Sequence, residues 1–257
     1  MKNNVISKRR LNFYIILFLI VIFSVIYKFT INKDVYSKNY NSDIKSVVDI
    51  DDDKKIVYLT FDDGPTHVVT NQLLDILKKF NVKATFFVVG KEIEGTEDIL
   101  LRIYKEGHGI GLHTYSHNYK KLYSSEEIFI DEMLKTREKV KDITGYSSNI
   151  IRFPGGSAKH LNSAFLEKLH KNNLKVFDWN VNLCDGVNPN LSTYRLLDNA
   201  KKYRKSYSRL IVLMHCNFNN KNTVKALPKI IEYYKDLGYE FKPLTNECEE
   251  YYYKFKK

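Results

Sequence analysis

The chain predicts an α/β fold: a distorted (β/α)7-type parallel barrel preceded by one N-terminal transmembrane helix. Three observations carry this expectation. From Lys55 onward, short apolar runs alternate with helically periodic stretches, the pattern of a parallel sheet covered by helices. Residues able to do chemistry recur where the apolar runs end, which is where barrels of this type gather their sites. A basic cluster also precedes an apolar run at the N-terminus.

Lys2, Lys8, Arg9 and Arg10 come first, followed by the apolar run Leu11 to Tyr27, interrupted by Asn12 and by the small Ser24. At the helical rise this run spans roughly 26 Å, just enough for a thin hydrocarbon layer. No small-x-small cleavage pattern follows, the chain reading Ser24-Val-Ile-Tyr-Lys28, so an uncleaved anchor is expected over a removed signal. The basic residues place the N-terminus inside and the remainder outside the cytoplasm. Residues 1–28 are therefore a cytoplasmic stub and anchor, and residues 29–53 a polar linker with a coil reach of about 30 Å. The α/β domain occupies residues 54–245, and a polar Tyr- and Lys-rich tail residues 246–257. Within the linker, Asp51-Asp52-Asp53 lacks the glycine and distal glutamate of a calcium loop.

Strands are expected at Ile56–Thr60, Thr85–Val89, Gly109–Leu112, Ile150–Phe153, Lys175–Trp179, Leu210–His215 and Tyr239–Phe241. Between them, Ser124 with Glu127 suggests a capping box, and Gly145 closes that helix. Leu227, Ile230, Ile231, Tyr234 and Leu237 recur at helical spacing before Gly238.

A net charge of +11 suggests an anionic partner, but the four N-terminal basic residues belong to the topology signal, and no helix carries a basic stripe. Nucleic acid is therefore not expected, and anionic envelope polymers suit such a surface better. The three cysteines, Cys184, Cys216 and Cys248, form no Cys-x-x-Cys pair, which excludes a zinc ribbon or a thioredoxin motif. Cys184 and Cys216 stand beside Asp185 and His215; a disulfide pinning those loops is weighed against two independent buried thiols.

Asp62 and Asp63 close the first strand, and His113 and His117 stand four positions apart after the third. One carboxylate and two imidazoles make a divalent-metal site with open positions, and the second carboxylate is free to act as a base. Such mixed oxygen and nitrogen ligation suits Zn2+ and tolerates Co2+, Ni2+ or Mn2+. Adjacent strand residues point to opposite faces, so both aspartates serve one site only where the backbone turns; Gly64-Pro65 supplies a turn.

Thr60-Phe-Asp-Asp-Gly-Pro65, His113-Thr-Tyr-Ser-His117, Arg152-Phe-Pro-Gly-Gly156 and Leu213-Met-His215 occur in that order. This resembles the polysaccharide deacetylase family, the NodB-homology domain of carbohydrate esterase family four, over roughly residues 54–245. The resemblance implies that Asp63, His113 and His117 hold the metal and that Asp62 is the base, oriented by Arg152. It further implies that the Gly155 N–H helps hold the oxyanion, that Leu213 lines the pocket for the acetyl methyl, and that His215 is the acid. The family commonly has an aromatic residue where this chain has Gly155. The family's carboxylate that tunes the histidine falls on Asp185, with Asp178 as the runner-up; Asn182 and Gly186 depart from the pattern. His67, His108, His160 and His170 have no motif partners and are expected to be structural.

The expected activity is hydrolysis of N-acetyl groups on an extracellular polysaccharide, with peptidoglycan N-acetylglucosamine first among substrates. Exopolysaccharide, chitin oligomers and acetyl-xylan are the alternatives, and a catalytically silent wall-binding module is the alternative of a different class.

Overall fold

A computed structural model describes residues 54–254 of the chain. The expected anchor, the linker and Asp51-Asp52-Asp53 lie outside the described residues. Among the described residues, no helix is long and apolar enough to cross a membrane.

Eight strands form one sheet: β1 (Ile56–Gly64), β2 (Thr85–Val88), β3 (Gly109–Leu112), β4 (Ile150–Ile151), β5 (Lys175–Val176), β6 (Val181–Asn182), β7 (Arg209–His215) and β8 (Glu240–Phe241). Their order is β5-β4-β3-β2-β1-β7-β6, with β8 on β1, and every pairing is parallel. Helices α1 (Val69–Phe80), α2 (Glu97–Lys105), α3 (Tyr119–Leu122), α4 (Glu126–Thr144), α5 (Ser163–Lys171), α6 (Thr193–Ala200) and α7 (Lys221–Asp236) make the crossovers. The result is a curled parallel half-barrel, consistent with the expected (β/α)7 architecture.

The two edges of this sheet are consecutive in sequence. β5 and β6 are parts of one segment that pairs with β4 at its start and with β7 at its end. Between them, Phe177 N–H donates to Ile151 O (2.9 Å) and Asn180 N–H to Ile211 O (3.1 Å), so Phe177–Asn180 crosses the gap. The predicted strand Lys175–Trp179 thus shortens to Lys175–Val176, and β6, beyond its end, had no sequence signal because only its pairing with β7 makes it a strand. The predicted Ile150–Phe153 likewise shortens to two residues, since Arg152 and Phe153 leave the sheet to form the site. Residues expected as a tail lie along this seam: Tyr251 bridges Phe177, and Tyr253 N–H donates to Asp178 Oδ2 (3.0 Å).

Alternation along β1 divides the interior in two. Val57, Leu59 and Phe61 face the helices and join a core with Leu73 and Leu77 of α1 and Leu227, Ile230 and Ile231 of α7. Thr60 and Asp62 face the other way, toward Arg152. The α4 cap shifts by one residue from the predicted box. Ser125 Oγ accepts the Ile128 N–H (3.2 Å), while Ser124 Oγ donates to Lys121 O (2.6 Å) and closes α3. Two helices separated by so short a turn leave Ser124 committed to the first. Gly145 ends α4 in the left-handed conformation, as expected (φ 74°).

Candidate active site

Asp62 and Asp63 reach the same site because the strand is irregular at that point. The β1–β2 register shifts between Asp62 and Gly64, and Asp63 is left-handed (φ 73°). A bulge re-aims a side chain that would otherwise point into the helical layer. Asp63 Oδ1 then lies 3.5 Å from His113 Nε2 and 3.2 Å from His117 Nε2. One donor atom from each of Asp63, His113 and His117 falls within 4.8 Å of the others.

These residues fit a divalent cation. His113 Nδ1 sits 2.9 Å from Arg152 O, so the ring N–H is directed at a carbonyl and the Nε2 lone pair is left for an ion. Burial, reinforced by neighbouring His117, lowers His113 to about 3, and the ring is neutral at any working pH. Asn217 Nδ2 is 3.5 Å from the second oxygen of Asp63, a partner the sequence reading missed.

Arg152 is the largest fully buried side chain among the described residues. Its guanidinium donates to Asp62 Oδ1 (2.8 Å), Thr60 Oγ1 (2.7 Å) and Phe177 O (2.8 Å), and packs 4.0 Å from the Phe87 ring centre. Burial pushes the Asp62 carboxyl above its ordinary value, with the charge and hydrogen bond of Arg152 pulling the other way. Oδ1 is occupied by Arg152, and Oδ2 faces His113 Nε2 at 3.7 Å.

His215, at the end of β7, pairs in register with Asp62. Asp185 grips it twice: Oδ1 lies 2.8 Å from the ring Nδ1, and Oδ2 accepts the His215 backbone N–H (2.9 Å). Thr223 Oγ1 also donates to Asp185 (2.7 Å). Burial alone would depress the imidazole. The hydrogen bond and charge of Asp185, with Asp62 and Asp63 beyond, outweigh it and raise His215 to about 9. Asp178, the runner-up, instead accepts from the Ser157 N–H (3.0 Å), the Ser157 hydroxyl and the Tyr253 N–H, holding the Gly155–Ser157 turn to the seam.

Gly186, a departure from the family pattern, has a steric reason. A Cβ there would stand 2.4 Å from both Cε1 and Nε2 of His215, so only glycine lets the imidazole lie against this backbone. Gly155 is left-handed (φ 77°) and exposed, and the space beside it holds Tyr119: a Cβ at Gly155 would meet that ring at 3.3 Å. Tyr119 is half-exposed and stands edge-on to His117, with ring centres 5.4 Å apart. Leu213 pairs with Thr60 and is almost wholly buried.

All three cysteines are free, so of the two alternatives for Cys184 and Cys216 the independent thiols hold, although Cys184 is exposed rather than buried. Cys216 is buried with its Sγ 3.2 Å from Asp62 O, whereas Cys184 is exposed, and the two face different surroundings. Of the remaining histidines, His108 Nδ1 accepts the Ala84 N–H (3.2 Å), His170 pairs with Glu250 (3.0 Å) and His160 stacks on Tyr123.

Comparison with known proteins bears on the family of the chain. The family model for polysaccharide deacetylase matches residues 49–177. A Bacillus subtilis relative is 36% identical over 191 residues, covering 73% of this chain and 66% of its own length. A peptidoglycan-N-acetylglucosamine deacetylase of Bacillus cereus is 33% identical over 203 residues, 76% of this chain and 71% of that protein. The chain thus spans about two thirds of the length of these curated relatives. Among solved structures, the catalytic domain of peptidoglycan N-acetylglucosamine deacetylase from Eubacterium rectale superimposes with a TM-score of 0.72 at 32% identity, covering 82% of this chain and 98% of that one. Fold, motif order and sequence likeness converge, and the chain belongs to the polysaccharide deacetylase family, whose members are hydrolases of N-acetyl amide bonds.

Proposed function

We propose that this protein is a metal-dependent deacetylase that removes the acetyl group from N-acetylglucosamine in peptidoglycan. The observation that carries this reading is the placement of Asp62, tied to Arg152, between the Asp63–His113–His117 group and His215. A divalent ion held by those three ligands supplies Lewis-acid polarisation when bound, with Zn2+ the best match to the donor set.

The chain's own residues do the rest. Asp62 accepts a proton from the attacking water; its free Oδ2 is the oxygen available, because Oδ1 is held by Arg152. Water oxygen bonds to the amide carbon, and the Gly155 N–H donates to the oxyanion that forms. His215 is fixed by Asp185 through Nδ1, which leaves Nε2 to deliver a proton to the departing nitrogen as the C–N bond breaks. The products are acetate and a free amino sugar. Leu213 lines the acetyl pocket, and Tyr119 offers the sugar the aromatic face that Gly155 lacks.

Placement outside the membrane rests on the order of basic and apolar residues from Lys2 to Tyr27. The names of the B. cereus and E. rectale relatives support peptidoglycan as substrate. Acetate release from purified wall, with and without chelator, tests the reading. Release that stops on chelation and returns with Zn2+ or Co2+ supports it; no release from wall, with release from chitin oligomers or acetyl-xylan, refutes the substrate.

A further inference from the structure

Glu132 lies on α4, outside every motif, and is only 5% exposed. A carboxylate so placed is costly unless its oxygens are satisfied, and here they are. Oε2 accepts the backbone N–H groups of Tyr115 (3.2 Å) and Ser116 (2.7 Å), and Ser116 Oγ donates to the same carboxylate (2.9 Å). Lys121 Nζ lies 2.8 Å from Oε1. Tyr115 and Ser116 are in the turn that joins His113 to His117.

That turn needs an external hold. Thr114 (φ 66°) and His117 (φ 52°) are both left-handed, a region disfavoured for residues that carry a Cβ. Internal bonds help, since Thr114 Oγ1 accepts the His117 N–H (3.1 Å). Two successive N–H groups converging on one point nevertheless make a concavity suited to an anion, and the Glu132 carboxylate fills it. Lys121 is mostly exposed and its charge is screened, so the backbone contacts carry most of the constraint.

We propose that Glu132 is a positioning residue of the cation site: its carboxylate fixes the backbone between His113 and His117 so that both Nε2 atoms face Asp63 Oδ1. This rests on the reading of Asp63, His113 and His117 as a cation site. Without the carboxylate, two backbone donors lose their acceptor and the turn relaxes away from its left-handed residues. The two imidazoles then no longer converge.

The test is Co2+ binding to the full chain, read by competition with a chelator and by the d–d absorption band. Glu132→Ala, which removes both acceptor oxygens, is expected to weaken Co2+ binding about 10- to 100-fold and to alter the band, as loss of an outer partner does at metal sites. Ser116→Ala removes one donor and leaves α4 untouched; it should give a smaller loss in the same direction. Wild-type affinity and an unchanged band in both variants overturn the proposal while leaving the cation site intact. Failure of the unaltered chain to bind Co2+ overturns the cation-site reading and this proposal together.

Discussion

Asp62 Oδ1 and the Arg152 guanidinium meet 2.8 Å apart in the barrel interior, both shielded from solvent and 90 residues apart in the chain. The pair ties the end of β1 to the loop after β4. It leaves one carboxylate oxygen free beside His113, so the same contact orients a reactive group and closes part of the barrel.

Replacing Arg152 with Met should therefore have two effects. An unpaired buried carboxylate costs about 3–5 kcal/mol of stability, visible as a lower midpoint in thermal unfolding. The lost cation also lets burial raise the Asp62 carboxyl further, and because the base works ionised, the acidic limb of the pH–rate profile should move to higher pH. An unmoved limb in a folded variant would show that Asp62 is not the group titrating there.

Asp185→Asn removes the charge that holds the His215 proton. With His215 in its proposed role as the acid, activity falls as pH rises through its pKa, which stands at about 9 before a bound cation offsets Asp62 and Asp63. The basic limb should move to lower pH, with a loss of about 10²-fold in kcat/KM above neutrality. The same raised pKa makes protonated His215 stabilising below its unfolded value near 6.5, and that contribution is lost as pH rises through about 9. If Asp178→Asn moves the limb and Asp185→Asn does not, the assignment is wrong.

Gly186→Ala places a methyl group where the His215 ring now lies, 2.4 Å from two of its atoms. Displacement of the acid by about 1 Å should lower kcat about 10²-fold while Co2+ affinity stays unchanged. Full activity in this variant would mean that His215 works from another position.

Tyr119→Ala should raise KM for wall fragments about 2- to 12-fold, the worth of one aromatic contact of about 0.5–1.5 kcal/mol, with metal affinity unchanged. Kinetics on glycan oligomers give the comparison. An unaltered KM would remove Tyr119 from the substrate surface.

The residues proposed to do the chemistry were readable because each lies in a short strand-to-turn segment that resembles a family motif. Thr60 to Pro65, His113 to His117, Arg152 to Gly156 and Leu213 to His215 are contiguous pieces, and their order along the chain is the order of the strands that bear them. Glu132 had no such signal: on α4 it looks like Glu126 or Glu138, and only the approach of that helix to the His113–His117 turn sets it apart. Tyr119 was hidden for the same reason, since its value comes from the space beside Gly155, 36 residues away.

Sequence alone determined the alternation of strand and helix and the segments that end in reactive side chains, because these depend on periodicity and on residue types at fixed spacing. The contacts that set Asp185 against His215 and Asp178 against Ser157 came from the fold. Tertiary structure decided how Asp63 turns into the site through a bulge, why position 186 holds glycine, that one segment serves both edges of the sheet, and that the thiols of Cys184 and Cys216 stay apart. Those are matters of distance between elements remote in the chain. Burial and close packing fix such distances only once the whole sheet has curled.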